Sequence, residues 1–465
     1  MEERLPRKVK IGYGATGFAA INTFTILILY GMFFFTDCVG LDATFAGVIL
    51  AIGTFWDAIT DPLVGAISDR RDPKKGRRRP FLKFVALPFG VVGWLLFTNF
   101  DLGPIANKVY FIVMAILFYT VQTLLDVPYT SLGAEMTHDY DERSSLNSNR
   151  NFFATVSGII SSLTLSFVFF FTDWFGSLSA GWSATGGIFS ILAIISIYIG
   201  YYSTKGYEAT EVPKIDSGEN KAIIKNVLAN KPFMYTMGLF TASVISVAIQ
   251  NSAFIYYLSY NLNLNEIQIS MSFLVSWLPG LLWVRVIDWL CHKYSKKVAW
   301  CTCMIVWCIS LMVFPMIIFN FTTHIFMIYL MQIFAGFGLV GQYQIAWSMI
   351  PDTIEVDEFK TGLRREGSYY GIIAFLQKMA TALAVFISGK VLTIIGYVPN
   401  VDQSAETLEG IKYLIAFGGT AFLIISIVLA IMNPMSRERH RALIEAIKAK
   451  KQGEEVDTSK FEALL

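Results

Sequence analysis

Residues 43–69, ATFAGVILAIGTFWDAITDPLVGAISD, run straight into residues 70–79, RRDPKKGRRR. The first piece is an apolar run long enough for a helix to cross the hydrocarbon, which takes about 20 residues. The second is a dense cationic loop of the kind that stays on the cytoplasmic side of a membrane. Two acids, Asp57 and Asp61, sit inside the apolar run, where an ionisable group costs about 2.5–3.5 kcal/mol on insertion scales and normally has a partner or a task. Three features therefore come together here: a spanning helix, an orientation signal and a pair of intramembrane carboxyls.

Outward from this stretch the pattern repeats. Apolar runs lie near 12–36, 43–69, 81–99, 108–136, 150–172 and 184–203, then 233–260, 268–291, 298–319, 325–350, 368–395 and 410–433. The chain is 54% hydrophobic and 15% charged, with a mean hydropathy of +0.53, an apolar excess that a water-soluble core does not need. Without the alternating pattern of barrel strands, the runs predict twelve transmembrane helices and an all-α membrane protein. The first run follows Arg4, Arg7, Lys8 and Lys10 but is too long for the apolar core of a signal peptide, so it reads as a retained helix.

Residues 204–232 form the one long polar interruption and divide the spans into two sets of six. The expected organisation is a six-helix bundle over 1–203, a cytoplasmic linker over 204–232, a second bundle over 233–435 and a tail over 436–465. Pro62 and Asp69 before a basic loop are echoed by Pro279 and Asp288 before a basic turn, as parallel six-helix repeats require. In the tail, Leu443, Ile444 and Ile447 among many charges fit a short amphipathic helix, with a frayed tail the equal alternative. The N terminus, the 70–79 loop, the linker, Lys293, Lys296 and Lys297, the Lys360–Arg365 loop and the tail from Arg437 all fall on one side. A multi-pass protein of the cell (inner) membrane with both termini cytoplasmic follows. The net charge of +2 averages over these segregated loops and gives no ground for nucleic-acid binding.

Asp57 and Asp61 are four residues apart, on one face of a helix. Two carboxylates held close disfavour each other's ionisation, and a bound Na⁺ or Li⁺ or a retained proton relieves the conflict. The bland alternative is that each acid pairs with a basic residue to hold helices together. On the fourth run Thr123 offers a hydroxyl to the cation, and Asp126 offers a carboxylate to sugar hydroxyls. Arg150 and Lys378 are the counter-charges; Arg285, Asp288 and Lys390, nearer helix ends, read as snorkelling or interface residues. Two GxGxxG spacings, Gly12–Gly17 and Gly336–Gly341, follow no strand and fit close helix packing better than a nucleotide site. No P-loop, HExxH or GxSxG is present, so neither ATP-driven transport nor an enzyme is expected. The five cysteines lack zinc-site spacing and read as packing residues.

These residues resemble the glycoside-pentoside-hexuronide:cation symporters of the major facilitator superfamily, to which the melibiose permease belongs. The resemblance spans nearly the whole chain. It rests on Trp56-Asp57 with Asp61-Pro62, Gly65 and Asp69 before Gly76–Phe81, and Asp126-Val127-Pro128. In the second half it rests on Pro351-Asp352, Glu355-Val356-Asp357, Thr361–Gly367, Lys378 and Gly396–Asn400. It implies a twelve-helix fold with a central cavity between two six-helix bundles, alternating access, and a Na⁺, Li⁺ or H⁺ site at Asp57 and Asp61 with Thr123. Thr60 joins that set, standing where the family often has an asparagine. It also implies a sugar site at Asp126 and Arg150. The chain departs from the melibiose branch in having no acid between Lys10 and Asp37 and in carrying Thr130 at a tryptophan position.

Aromatics stack on pyranose faces and amides bond hydroxyls, so Asn22, Tyr30, Asn251, Tyr256, Gln342, Tyr343 and Trp347 are further candidates, each equally readable as a helix-packing residue. Trp347 is the foremost, and Asn22 joins Asp126, Arg150 and Lys378 in the expected substrate set. Asp69 with Arg70, and Asp352 with Arg364 and Arg365, read as cytoplasmic latches. The function expected is symport of a sugar, glycoside or hexuronide with a monovalent cation, with no cofactor. An amphipathic-anion or lysolipid carrier and a non-transporting sensor on the same fold are the rival readings.

Overall fold

A computed structural model describes residues 4–69, 77–137, 139–207, 227–318, 324–363, 365–452 and 458–465. The expected latch residues Arg70 and Arg364 lie outside them. The described residues hold helices and no strand. In chain order these are α1 (Arg7–Phe33), α2 (Ala43–Asp69), α3 (Arg79–Leu96), α4 (Pro104–Glu135), α5 (Tyr140–Ser162), α6 (Thr164–Phe175) and α7 (Leu178–Ser203). They continue with α8 (Lys231–Tyr256), α9 (Glu266–Trp277), α10 (Gly280–Lys293), α11 (Lys296–Val313), α12 (Ile325–Thr361), α13 (Glu366–Ile394), α14 (Ala405–Tyr413), α15 (Thr420–Met432) and α16 (Arg437–Gln452). Eleven helices or continuous helix pairs are long and apolar enough to span a membrane, and α5 with α6 makes a twelfth, bent by 47°. The twelve expected spans are all present.

The bend has a local cause. Ser162 Oγ donates to the Gly158 carbonyl at 2.8 Å, and Thr164 Oγ1 donates to that of Ser161 at 2.7 Å. Such back-bonds compete with the helix ladder. Tyr30 also takes the Ser162 carbonyl at 2.6 Å.

The chain packs into two compact units. One holds Met1–Lys214, Asn251–Leu274 and Val385–Gly410; the other holds Ile215–Gln250, Val275–Ala384 and Ile411–Leu465. This division differs from the linker-based halves read from the sequence, because the C-terminal ends of α8 and α13 pack in the first unit. Tyr256 OH lies 2.8 Å from Thr36 Oγ1, and a Cβ on Gly389 would come within 2.3 Å of the Ala43 carbonyl.

In the first unit, α1 packs against α5 and α7 along its glycines. A Cβ on Gly12 would meet Ser203 Oγ at 2.1 Å, one on Gly14 the Asn149 backbone at 2.8 Å, and one on Gly17 the Arg150 carbonyl at 2.9 Å. The second GxGxxG is used alike in the second unit, where Gly338 faces the Trp307 side chain and Gly341 faces Cys303. Both motifs are packing devices. In that unit the tail forms α16, whose Leu443, Ala446 and Ile447 join Val356, Phe461 and Leu464 in a small core.

Candidate functional site

In the first unit the site is built on α2 and α4. Asp57 is 5% exposed, and Thr123 Oγ1 donates to its Oδ1 at 2.7 Å. Thr60 Oγ1 lies 3.1 Å from Thr123 Oγ1 and donates to the Asp57 carbonyl at 3.3 Å. Three of the four expected cation residues thus form one hydrogen-bonded knot between two helices.

The fourth, Asp61, is half-buried one turn further along α2, as is Asp126 nearly one turn beyond Thr123 on α4. Both helices run the same way, since Asp69 and Glu135 at their C-terminal ends share the same arginines. At about 1.5 Å per residue, Asp61 and Asp126 therefore sit at similar depth. Pro62 follows Asp61 and has no N–H to give, which leaves a carbonyl in the preceding turn without its ladder bond. The arrangement concentrates oxygen donors, the ligands that hard monovalent cations prefer.

Arg150 is half-buried on α5, within reach of the Tyr13 hydroxyl. The Tyr13 and Tyr129 rings meet tilted by 33°, with centroids 4.7 Å apart. Asn22 is fully buried. Its Nδ2 donates to Ser161 Oγ at 3.0 Å, and Ser161 Oγ donates back to the Asn22 carbonyl at 3.2 Å, so this amide joins α1 to α5.

In the second unit Trp347 is 38% exposed on α12, stacked on Tyr370 at 5.8 Å and 14°. Lys378 is half-buried on α13. The expected latch acids have partners inside their own units. Asp69 pairs with Arg77 at 2.8 Å and with Arg78, and both arginines also reach Glu135, at 3.5 and 3.0 Å. Asp352 pairs with Lys296 at 2.7 Å and faces His440 at 3.7 Å, while Arg365 lies 4.0 Å from Asp357.

His440 on α16 carries its Nε2 2.5 Å from Glu355 Oε2. The Glu355 hydrogen bond raises its pKa above the ordinary value; burial and Lys296 work against this, and Asp352 and the Glu355 charge reinforce it. Sequence reasoning missed this contact and the buried Arg77–Arg78–Glu135 network, having read the arginines as topology signals and as part of a family motif. It also missed the surroundings of Asp37, although an acid at the end of an apolar run and the Tyr397–Asn400 motif were both in view.

Spanning helices that carry a buried carboxyl–hydroxyl knot fit a membrane transporter. Residues 11–437 match the family described as MFS/sugar transport protein, and the chain belongs to that family. It is 30% identical to "Uncharacterized symporter YnaJ" of Bacillus subtilis over 86% of each chain. It is 28% identical to the "Putative sulfoquinovose importer" of Escherichia coli over 97% of this chain and 96% of that one. The fold is also that of a bacterial homologue of the human lysosomal transporter Spinster, solved inward-facing and unoccupied. The TM-score is 0.71 at 11% identity, over 94% of this chain and 97% of that one. The protein is a multi-pass membrane transporter of a symporter family, not an enzyme.

Proposed function

We propose that the protein is a cation-coupled symporter of a sugar, glycoside or hexuronide, working by alternating access in the cell (inner) membrane with both termini in the cytoplasm. The observation that carries this reading is the buried Asp57 carboxyl bonded to Thr123, with Thr60 beside them and Asp61 one turn away. A carboxylate in an apolar span is costly, and a Na⁺, Li⁺ or H⁺ bound there offsets the cost. Asp57, Asp61 and Thr123 would hold a metal cation and Thr60 would complete the set; no other cofactor enters.

Asp126 and Arg150 supply the polar contacts to solute, with Lys378 as a further cation and Trp347 as an aromatic face. The relative named as a sulfoquinovose importer supports an acidic sugar among the candidates, because a sulfonate or carboxylate suits Arg150 and Lys378. Asn22 joins this set through its amide oxygen, since its Nδ2 is engaged with Ser161. Cation and solute sites of one symporter are linked, so each ligand must tighten the other.

The test is equilibrium binding of a panel of neutral and acidic sugars to the purified protein, with and without Na⁺ and at two pH values. One sugar whose affinity rises about fivefold or more with one cation is the expected result, in the usual range of coupling energies. Affinities indifferent to every cation would remove the coupling.

A further inference from the structure

The first, seventh and eleventh spans, Arg7–Cys38, Lys231–Asn261 and Glu366–Ile394, come together at their C-terminal ends around one buried carboxyl group. Asp37 is 5% exposed. Its Oδ2 accepts hydrogen bonds from Thr36 Oγ1 at 2.6 Å and from the Tyr397 hydroxyl at 2.7 Å, and its Oδ1 accepts from the Tyr260 hydroxyl. Asn400 donates its Nδ2 to the Asp37 carbonyl at 2.7 Å and its backbone N–H to the Tyr260 hydroxyl at 3.2 Å. Asn400 has a φ of 58°, a left-handed conformation that asparagine tolerates better than most residues. Tyr256 closes the group, 2.8 Å from Thr36 Oγ1 and edge-on to the Tyr397 ring at 4.8 Å.

Both carboxyl oxygens thus have hydroxyl partners, so the group's hydrogen-bonding capacity is met inside the cluster. Apart from the bond between Thr36 and Asp37, these contacts link segments 140 or more residues apart and add nothing to any single helix. Their effect is to tie three span ends together. A carboxyl group suits a tie that must open, because water replaces the hydroxyls on hydration and only the modest net worth of each hydrogen bond is lost. An apolar plug would instead have to expose its whole surface.

We propose that Asp37 is the positioning residue of a reversible lock at this end of the protein. Opening to solute from that side requires its bonds to Tyr260 and Tyr397 to break and the carboxylate to hydrate. The inference rests on the alternating-access reading above, but its test needs no solute, so the two can fail separately.

Cys38 follows Asp37 directly and is a free, half-buried thiol. The full chain in nanodiscs is treated with a membrane-impermeant maleimide, and modification of Cys38 and of the fully buried Cys303 is followed by peptide mass spectrometry. Tyr397→Phe removes one hydroxyl and keeps the ring and the Asp37 charge. Asn400→Gly keeps the left-handed turn and removes the amide. Losing one hydrogen bond to a charged group moves an equilibrium by about tenfold. Cys38 labelling about tenfold faster in Tyr397→Phe and clearly faster in Asn400→Gly, with Cys303 labelling unchanged, is the expected result. Unchanged Cys38 rates in both variants would overturn the lock. Joint acceleration at Cys38 and Cys303 would also overturn it, by showing that the cluster only holds the fold together.

Discussion

The Thr123 hydroxyl lies 2.7 Å from Asp57 Oδ1 and joins the fourth span to the second deep in an apolar stretch of each. Thr123→Ala leaves that oxygen short of a donor, and a hydrogen bond to a charged group contributes about 1.5–3 kcal/mol. Affinity for the coupling cation is expected to fall about tenfold or more, with Thr123→Ser close to wild type. Cation titration of sugar binding reads the difference; equal affinities in Thr123→Ala and wild type would take Thr123 out of the site.

The glycines of the first helix give a stability prediction. A methyl group at Gly14 would approach the Asn149 backbone to 2.8 Å, and backbone cannot swing aside. Gly14→Ala should cost about 1–3 kcal/mol, in line with other overpacked positions. Gly158→Ala, where a Cβ meets nothing within 4 Å, serves as the control. Thermal unfolding in detergent should show a lower midpoint for the first and little change for the second.

Docking of the tail helix should depend on pH through His440. Its pKa in the folded protein is raised above 6.5, chiefly by Glu355. The stabilisation is therefore complete below about 6.5 and fades as the pH rises through the raised value. Asp352 and Lys296 are the other charged groups facing the ring, one favouring and one opposing protonation. Hydrogen exchange over 437–452, corrected for its intrinsic pH dependence, should speed up on the alkaline side. In His440→Gln that pH dependence should vanish; if it survives, another group is responsible.

Glu135 holds two arginines that are nearly buried, their side chains 6% and 7% exposed. Glu135→Gln leaves them with Asp69 as their remaining carboxylate among these contacts, and loss of one member of a buried ion network costs on the order of a few kcal/mol. A lower unfolding midpoint and a slower transport rate, with sugar affinity little changed, are expected. A variant as stable and as fast as wild type would show the network to be dispensable.

The spans and the acid pair were legible because both are written locally. Twenty apolar residues can hardly do anything else, and a spacing of four puts Asp57 and Asp61 on one face. Hydropathy could not see helix that continues in polar sequence, so α12 was expected to stop near 350 but runs through Pro351 to Thr361. The bend after Ser162 depends on serine and threonine back-bonds that have no hydropathy signature. The Asp37 cluster was invisible for a different reason: its members lie up to 363 residues apart, and each alone is an ordinary polar residue near a helix end. The tail's contact with Glu355 was hidden in the same way.

Coupling at Asp57 is the central claim, and gradient-driven uptake tests it most directly. Proteoliposomes with wild-type protein or Asp57→Asn would be loaded under a Na⁺ or a pH gradient, with downhill exchange of the same sugar measured alongside. Accumulation driven by one gradient in wild type and abolished in Asp57→Asn, while exchange persists, is the predicted result. Undiminished accumulation by Asp57→Asn would contradict the account.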